Sequence, residues 1–210
     1  MDINSLLEIV LTVIFFAVSV SVHEFCHAYV ADKLGDPTAR LSGRLTLNPI
    51  AHADLFGTIL IPLFLLMSGT RFLFGWAKPV PVNFLNLQNP KKDMIKIAIA
   101  GPISNLVMGF VIFIILKFIP QNLVIYTGLV SALYLNVSLA IFNMIPVFPL
   151  DGSKVLAGLL PYNLEYKYRQ FESYGNIILL IMVAMGITGF ILQFFAPIIL
   201  IFYTLLTFWF

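Results

Sequence analysis

Four apolar runs, Leu6–Val22, Ile95–Leu116, Leu123–Leu150 and Ile177–Phe210, leave this chain few choices of fold. Each holds a window near the roughly 20 residues that cross a bilayer as a helix. Lipid offers no partner for backbone N–H and C=O groups, so such runs must satisfy their own hydrogen bonds as helices. Composition agrees: 60% of the 210 residues are hydrophobic and 10% are charged, against about 25% charged in a soluble domain. The expectation is an all-α polytopic membrane protein. The first run lacks a basic leading region and a small-residue cleavage site, so it reads as a span and not as a cleavable signal. One cysteine, Cys26, excludes an intramolecular disulfide framework. No nucleic-acid signature is present, and the surroundings to expect are a lipid bilayer. The chain reads as a single domain, 1–210, with its core in 6–160.

Between the apolar runs the pattern is more varied. A first span is expected from about Leu6 to Ala31, followed by a polar stretch, Asp32–Asp54. Thr38 to Leu47 alternates roughly as a short strand or hairpin would. Leu55–Phe74 is apolar but carries Gly57, Pro62, Gly69 and Arg71, an awkward set for a plain spanning helix. Trp76–Phe84 cannot be helical, since Pro79 and Pro81 remove donors and restrict the residues before them. It reads as an extended segment with one free edge. Asp93 to about Phe118 and Leu123–Leu150 are the second and third spans; Tyr174–Leu192 and Pro197–Phe210 are the last two.

Basic residues favour the cytoplasmic side of a membrane. Lys33, Arg40 and Arg44 follow the first span; Arg71, Lys78, Lys91, Lys92 and Lys96 precede the second; Lys154, Lys167 and Arg169 follow the third. Lys117 alone stands at the far end of the second span. If Leu55–Phe74 dips into the membrane and returns, all of the others fall on one side. The fold to expect is therefore about five transmembrane helices plus a re-entrant segment, with a short β-hairpin or edge strand at the cytoplasmic side. The alternative is an ordinary sixth span with Arg71 reaching back to the interface.

The chemistry concentrates at two helix ends. His23 and His27 are four residues apart, so on a helix they project from one face, one turn apart, and can share a metal. Glu24 beside them is placed as a general base acting on water at that metal, as in the His-Glu-x-x-His pattern of zinc proteases. Ionisable residues at the end of a membrane span are costly, which makes a functional role the first reading. A catalytic zinc takes three protein ligands and keeps one position open. Asp151 is the outstanding third candidate, at the end of Asn143-Met144-Ile145-Pro146-Val147-Phe148-Pro149-Leu150-Asp151-Gly152. Its two prolines break a helix and could deliver a carboxylate to a metal held elsewhere. The alternative is an N-cap for a helix starting at Gly152. Cys26 lies off the histidine face and reads as packing.

His-Glu-x-x-His near the N-terminus, then Gly101-Pro102-x-Ser104-Asn105, then Asn-x-x-Pro-x-x-Pro-Leu-Asp-Gly ending at Gly152 resembles the site-2 protease family of intramembrane zinc metalloproteases. The chain is most similar to the compact prokaryotic branch without PDZ or CBS domains. The resemblance implies one Zn2+ per chain, His23, His27 and Asp151 as ligands and Asn143 within the active site. It implies hydrolysis of peptide bonds within or next to transmembrane segments of membrane-protein substrates, in a prokaryotic cell membrane, with the active site near the cytoplasmic face. The chain departs from better-known members in having no span before the zinc-binding helix and in its Leu55–Phe74 segment.

Other residues carry weaker readings. Asn143 could donate to an oxyanion or glue helices together; Asn105 could pack or act in the site. His52 is a plain loop histidine or a substrate-side contact. An extended edge can capture an unwound substrate as an added strand; the candidates are Trp76–Phe84, with Trp76 and the backbone donors Lys78, Val80 and Val82, or the Thr38–Leu47 hairpin. A non-catalytic metal-binding membrane protein or a transporter using the same His/Asp site is the competing function.

Overall fold

The fold follows from how a few long apolar helices bury the polar groups they carry. The computed structural model describes residues 3–67, 77–121, 124–194 and 197. Among the described residues, three helices are long and apolar enough to cross a membrane: α1 (Ile3–Lys33), α5 (Pro90–Leu116) and α6 (Val124–Asn143). Between the first two lie the short α2 (Thr38–Leu41) and α3 (Pro49–His52), a π-helical turn at Leu55–Leu60, α4 (Ile61–Met67) and a 3-10 turn at Phe84–Asn86. After α6 come α7 (Asp151–Leu159), α8 (Tyr162–Arg169), a 3-10 turn at Glu172–Tyr174, α9 (Gly175–Ala184) and α10 (Ile187–Phe194).

α5 is the central element, packed against α1, α6 and α7. Ile112, Phe113 and Leu116 interlock with Leu129, Leu133 and Val137 of α6 in the main buried cluster. The outward faces are as apolar as the core: Ile103, Val107 and Phe110 of α5 are all more than half exposed. Lipid tails are as apolar as leucine, so association here depends on close packing and on the few buried polar groups that link helices. Among those groups are Ser19, Asn105 and Asn136, one on each long helix and all at most 1% exposed. Asn136 donates to Ser19 Oγ at 2.9 Å, and Asn105 donates to Asn136 Oδ1 at 3.0 Å.

Three sequence expectations need correction. Thr38–Leu41 is a helical turn, and among the described residues there is no strand, so neither the hairpin nor a paired edge strand forms. The cause is Asp36, which accepts from both the backbone and the hydroxyl of Thr38 and starts a turn, while Gly43 at φ 68° closes it. Local side-chain-to-backbone bonding of this kind competes directly with strand formation. Tyr174–Leu192 is not one helix: Gly186, at φ 73°, divides α9 from α10. Within the described residues neither piece reaches the roughly 20 residues of a crossing helix. Pro197–Phe210, beyond position 197, and Trp76 lie outside the described residues, as does the stretch 68–74 of the suspected re-entrant segment.

Residues 77–83 adopt no helix, as the prolines require, and are strapped in place from several sides. Lys78 N–H donates to His52 O at 3.0 Å, and the buried Arg44 donates to the carbonyls of Lys78 and Pro79. Asp36, fully buried, accepts Asn83 N–H at 2.7 Å and the Asn86 amide at 2.8 Å. Burial pushes the Asp36 carboxyl up, but the hydrogen bonds from Thr38, Asn86 and Asn83 outweigh it and hold the group below the usual carboxylate range. A carboxylate that accepts several donors is stabilised in its charged form.

Candidate metal centre

His23 and His27 sit one turn apart on the inner face of α1, each 7% exposed. Asp151 reaches them from the first residue of α7, directly after the apolar N-cap Leu150. The chain between α6 and α7 turns through residues 144–150, with a cis peptide at Phe148–Pro149. Gly152 packs directly on the Met144 carbonyl, where a Cβ would overlap it. That close approach carries the carboxylate inward. Asp151 Oδ2 lies 3.1 Å from His23 Nε2 and 3.0 Å from His27 Nε2, and the two Nε2 atoms are 3.0 Å apart.

The tautomers follow from the partners on the other side of each ring. His23 Nδ1 is 2.6 Å from Asn105 Oδ1 and His27 Nδ1 is 2.6 Å from the Ile97 carbonyl. A carbonyl oxygen can only accept, so both Nδ1 atoms carry the proton. Asn105 is itself oriented by Ser19 O, which takes its Nδ2 proton at 3.3 Å. In the neutral rings both Nε2 atoms then present lone pairs toward each other and toward a carboxylate oxygen. Three such donors converging in a buried site repel one another unless a cation stands between them. A tetrahedral zinc with bonds of about 2.0–2.1 Å separates its ligands by about 3.3 Å, close to the spacing found. The three ligand atoms all lie within 4.8 Å of one another. The residues fit a metal.

Helix α5 supplies the back wall. Pro102 lacks the N–H that would meet the Ala98 carbonyl, which loosens the helix there. The neighbouring Ile97 carbonyl is the one that takes His27. A Cβ on Gly101 would come within 2.6 Å of His23 Cε1 and closer still to His27 Nε2. Gly101→Ala is therefore expected to push the two rings apart and weaken metal binding by at least about tenfold. Equilibrium dialysis with a metal indicator checks it, and unchanged affinity would show that the rings can retreat freely.

Glu24 lines a cavity of about 890 Å³ together with the metal donors, Pro79, Val80, Val82, Asn143 and Lys154. Its Oε2 accepts Val80 N–H at 3.0 Å. The sequence reading left Lys78, Val80 and Val82 as available donors; two of the three are engaged within the chain, by His52 O and by Glu24. The prolines made an extended edge legible, but not which acceptors would claim it. Asn143, the last residue of α6, donates one amide proton back to Leu139 O at 3.0 Å. Asn105 stands behind His23 and not on the cavity wall. His52 is 1% exposed, hydrogen-bonded to Thr46 O at 2.8 Å, and it buttresses the extended segment. Cys26 faces a separate groove beside Ile95 and Val107. The sequence reading missed Ser19 and Asn136, although a polar residue inside an apolar span was the available signal.

Fold and site together define a helical membrane protein with a metal-type donor cluster shared between the spanning α1 and the short α7. The sequence profile of peptidase family M50 matches residues 11–128 and 121–189. YwhC of Bacillus subtilis strain 168, named as a candidate zinc metalloprotease, is 41% identical over 189 residues, covering 86% of this chain and 83% of its own. Zinc metalloprotease MJ0392 of Methanocaldococcus jannaschii is 28% identical over 186 residues, 88% of this chain and 44% of its own length. Rip2 of Mycolicibacterium smegmatis, also named as a candidate zinc metalloprotease, is 23% identical over 175 residues, 82% of this chain and 66% of its own. No solved structure matches. The chain belongs to peptidase family M50.

Proposed function

We propose that this chain is an intramembrane zinc metalloprotease in which His23, His27 and Asp151 hold one zinc and Glu24 is the general base. The observation that carries the reading is the convergence of two imidazole lone pairs and a carboxylate oxygen at 3.0–3.1 Å, with Glu24 on the wall of the adjoining cavity. Zinc, when bound, polarises a scissile carbonyl and lowers the pKa of water toward neutrality. Glu24 takes the proton of the attacking water and returns it to the leaving amide nitrogen. Val80 N–H fixes one carboxylate oxygen, which leaves the other to handle that proton. Asn143 spends one amide proton on Leu139 O and directs its second toward the oxyanion. Asn105 and the Ile97 carbonyl keep both ligand rings in the tautomer that exposes Nε2, and such outer partners raise ligand basicity.

The substrate is a transmembrane segment, unwound near the metal and lying against residues 77–83. Ala77, Pro79, Val80 and Val82 on one wall and Phe142, Leu179 and Leu180 on others support an apolar chain there. In this conformation pairing through Lys78 or Val80 must first displace His52 O or Glu24. The test is cleavage of a reporter transmembrane segment by the purified protein in a bilayer, with zinc stripped and restored. Activity that disappears on stripping and returns with zinc is expected; cleavage indifferent to zinc contradicts the reading.

We further propose that Leu55–Phe74 re-enters the membrane and returns, and that the metal lies near the cytoplasmic face. The hydrogen bond from Lys78 N–H to His52 O supports a return to the starting depth. The intervening residues 53–77 are too few for two crossings of roughly 20 residues each. In a Cys26→Ala background, Ala51→Cys and Asn86→Cys are expected to label from the same side of the membrane and Lys117→Cys from the other. Labelling of positions 51 and 86 from opposite faces would make the segment a true span.

A further inference from the structure

The two oxygens of Asp151 have different partners. Oδ2 faces both histidines, whereas Oδ1 accepts the Lys154 ammonium at 3.0 Å. Lys154 lies one turn further along α7, with its side chain 38% exposed against 6% for the carboxylate. It is the one lysine or arginine among the described residues that lines the cavity beside the metal donors. Ion pairs three residues apart are common on helix surfaces and contribute little there. This pair differs because the carboxylate is buried and its other oxygen points at two imidazoles.

We infer that Lys154 is a positioning residue that confines Asp151 to single-oxygen coordination. The inference rests on the ligand set given under Proposed function. A carboxylate can meet a metal through one oxygen or both. A second Asp151 oxygen would fill a position that a catalytic zinc has to keep open. The ammonium holds Oδ1 by a charge-assisted hydrogen bond, which is stronger than a neutral one. Its place one turn along the same helix means that it moves with Asp151 and needs no second element to align it. Lys154 thereby protects the open position without touching metal or substrate.

The test compares Lys154→Met, Lys154→Gln and Lys154→Arg in the full chain, loaded with cobalt in place of zinc. Cobalt absorption in the visible is intense when four-coordinate, and weaker and shifted to shorter wavelength when more ligands bind. Lys154→Met is expected to lose intensity and shift in that direction, and its zinc form to cleave about 10–100-fold more slowly. Lys154→Arg is expected to restore both, since it keeps the cationic donor. If Lys154→Met does not fold, as judged by helical content, Lys154→Gln is read the same way. A folded Met or Gln variant with the unaltered cobalt spectrum overturns the inference while leaving the ligand set intact. A parent chain that binds neither metal overturns both.

Discussion

Glu24→Gln is expected to keep one zinc per chain and to cleave about 10²–10⁴-fold more slowly, the range that a positioned acid–base group contributes. The carboxamide has nearly the same shape, retains an oxygen for Val80 N–H and leaves His23, His27 and Asp151 untouched. It cannot take a proton from water. Zinc content and single-turnover cleavage, measured on the same preparation, separate the two effects. Cleavage near the parent rate would remove Glu24 from the mechanism, and loss of zinc would make it a ligand or a structural element.

Asp151→Ala is expected to lose zinc and activity together. It removes the only carboxylate among the three converging donors and leaves two neutral imidazoles, too few for a catalytic zinc. A helix cap replaced by alanine costs only about 1 kcal/mol and would spare the metal. The side-chain partners of Asp151 are His23, His27 and Lys154, which favours the larger effect. Full zinc occupancy in this variant would assign Asp151 to the support of α7.

The parts of the fold visible in the sequence are those fixed by lipid. Three of the four apolar runs became α1, α5 and α6, because a bilayer permits almost nothing else, although α6 ends at Asn143 and not at the expected Leu150. His23, Glu24 and His27 were legible because helical periodicity puts the imidazoles on one face. Asp151 was legible because two prolines at the end of an apolar run are hard to explain otherwise. The rest depended on partners far away in sequence. Thr38–Leu47 alternates like a hairpin, yet Asp36 turns it into a helix, and Asp36 also holds Asn83 and Asn86, more than forty residues on. Tyr174–Leu192 is mostly apolar and long enough for one span, but a positive φ at Gly186 divides it. The chain Ser19–Asn136–Asn105–His23 needs the rotation of three helices, which no single segment encodes. Lys154 looked like one more basic residue on the cytoplasmic side, and only the fold of α7 brings it onto Asp151.

Two imidazoles and one carboxylate of this chain are proposed to hold zinc, with no sulfur. X-ray absorption at the zinc edge of the purified protein reads that shell directly. Nitrogen and oxygen neighbours are expected at about 2.0–2.1 Å, with outer-shell scattering from two histidines and no contribution at the roughly 2.3 Å of a zinc–thiolate bond. A sulfur shell, which only Cys26 or a methionine could supply, or the scattering of fewer than two imidazoles, would contradict it.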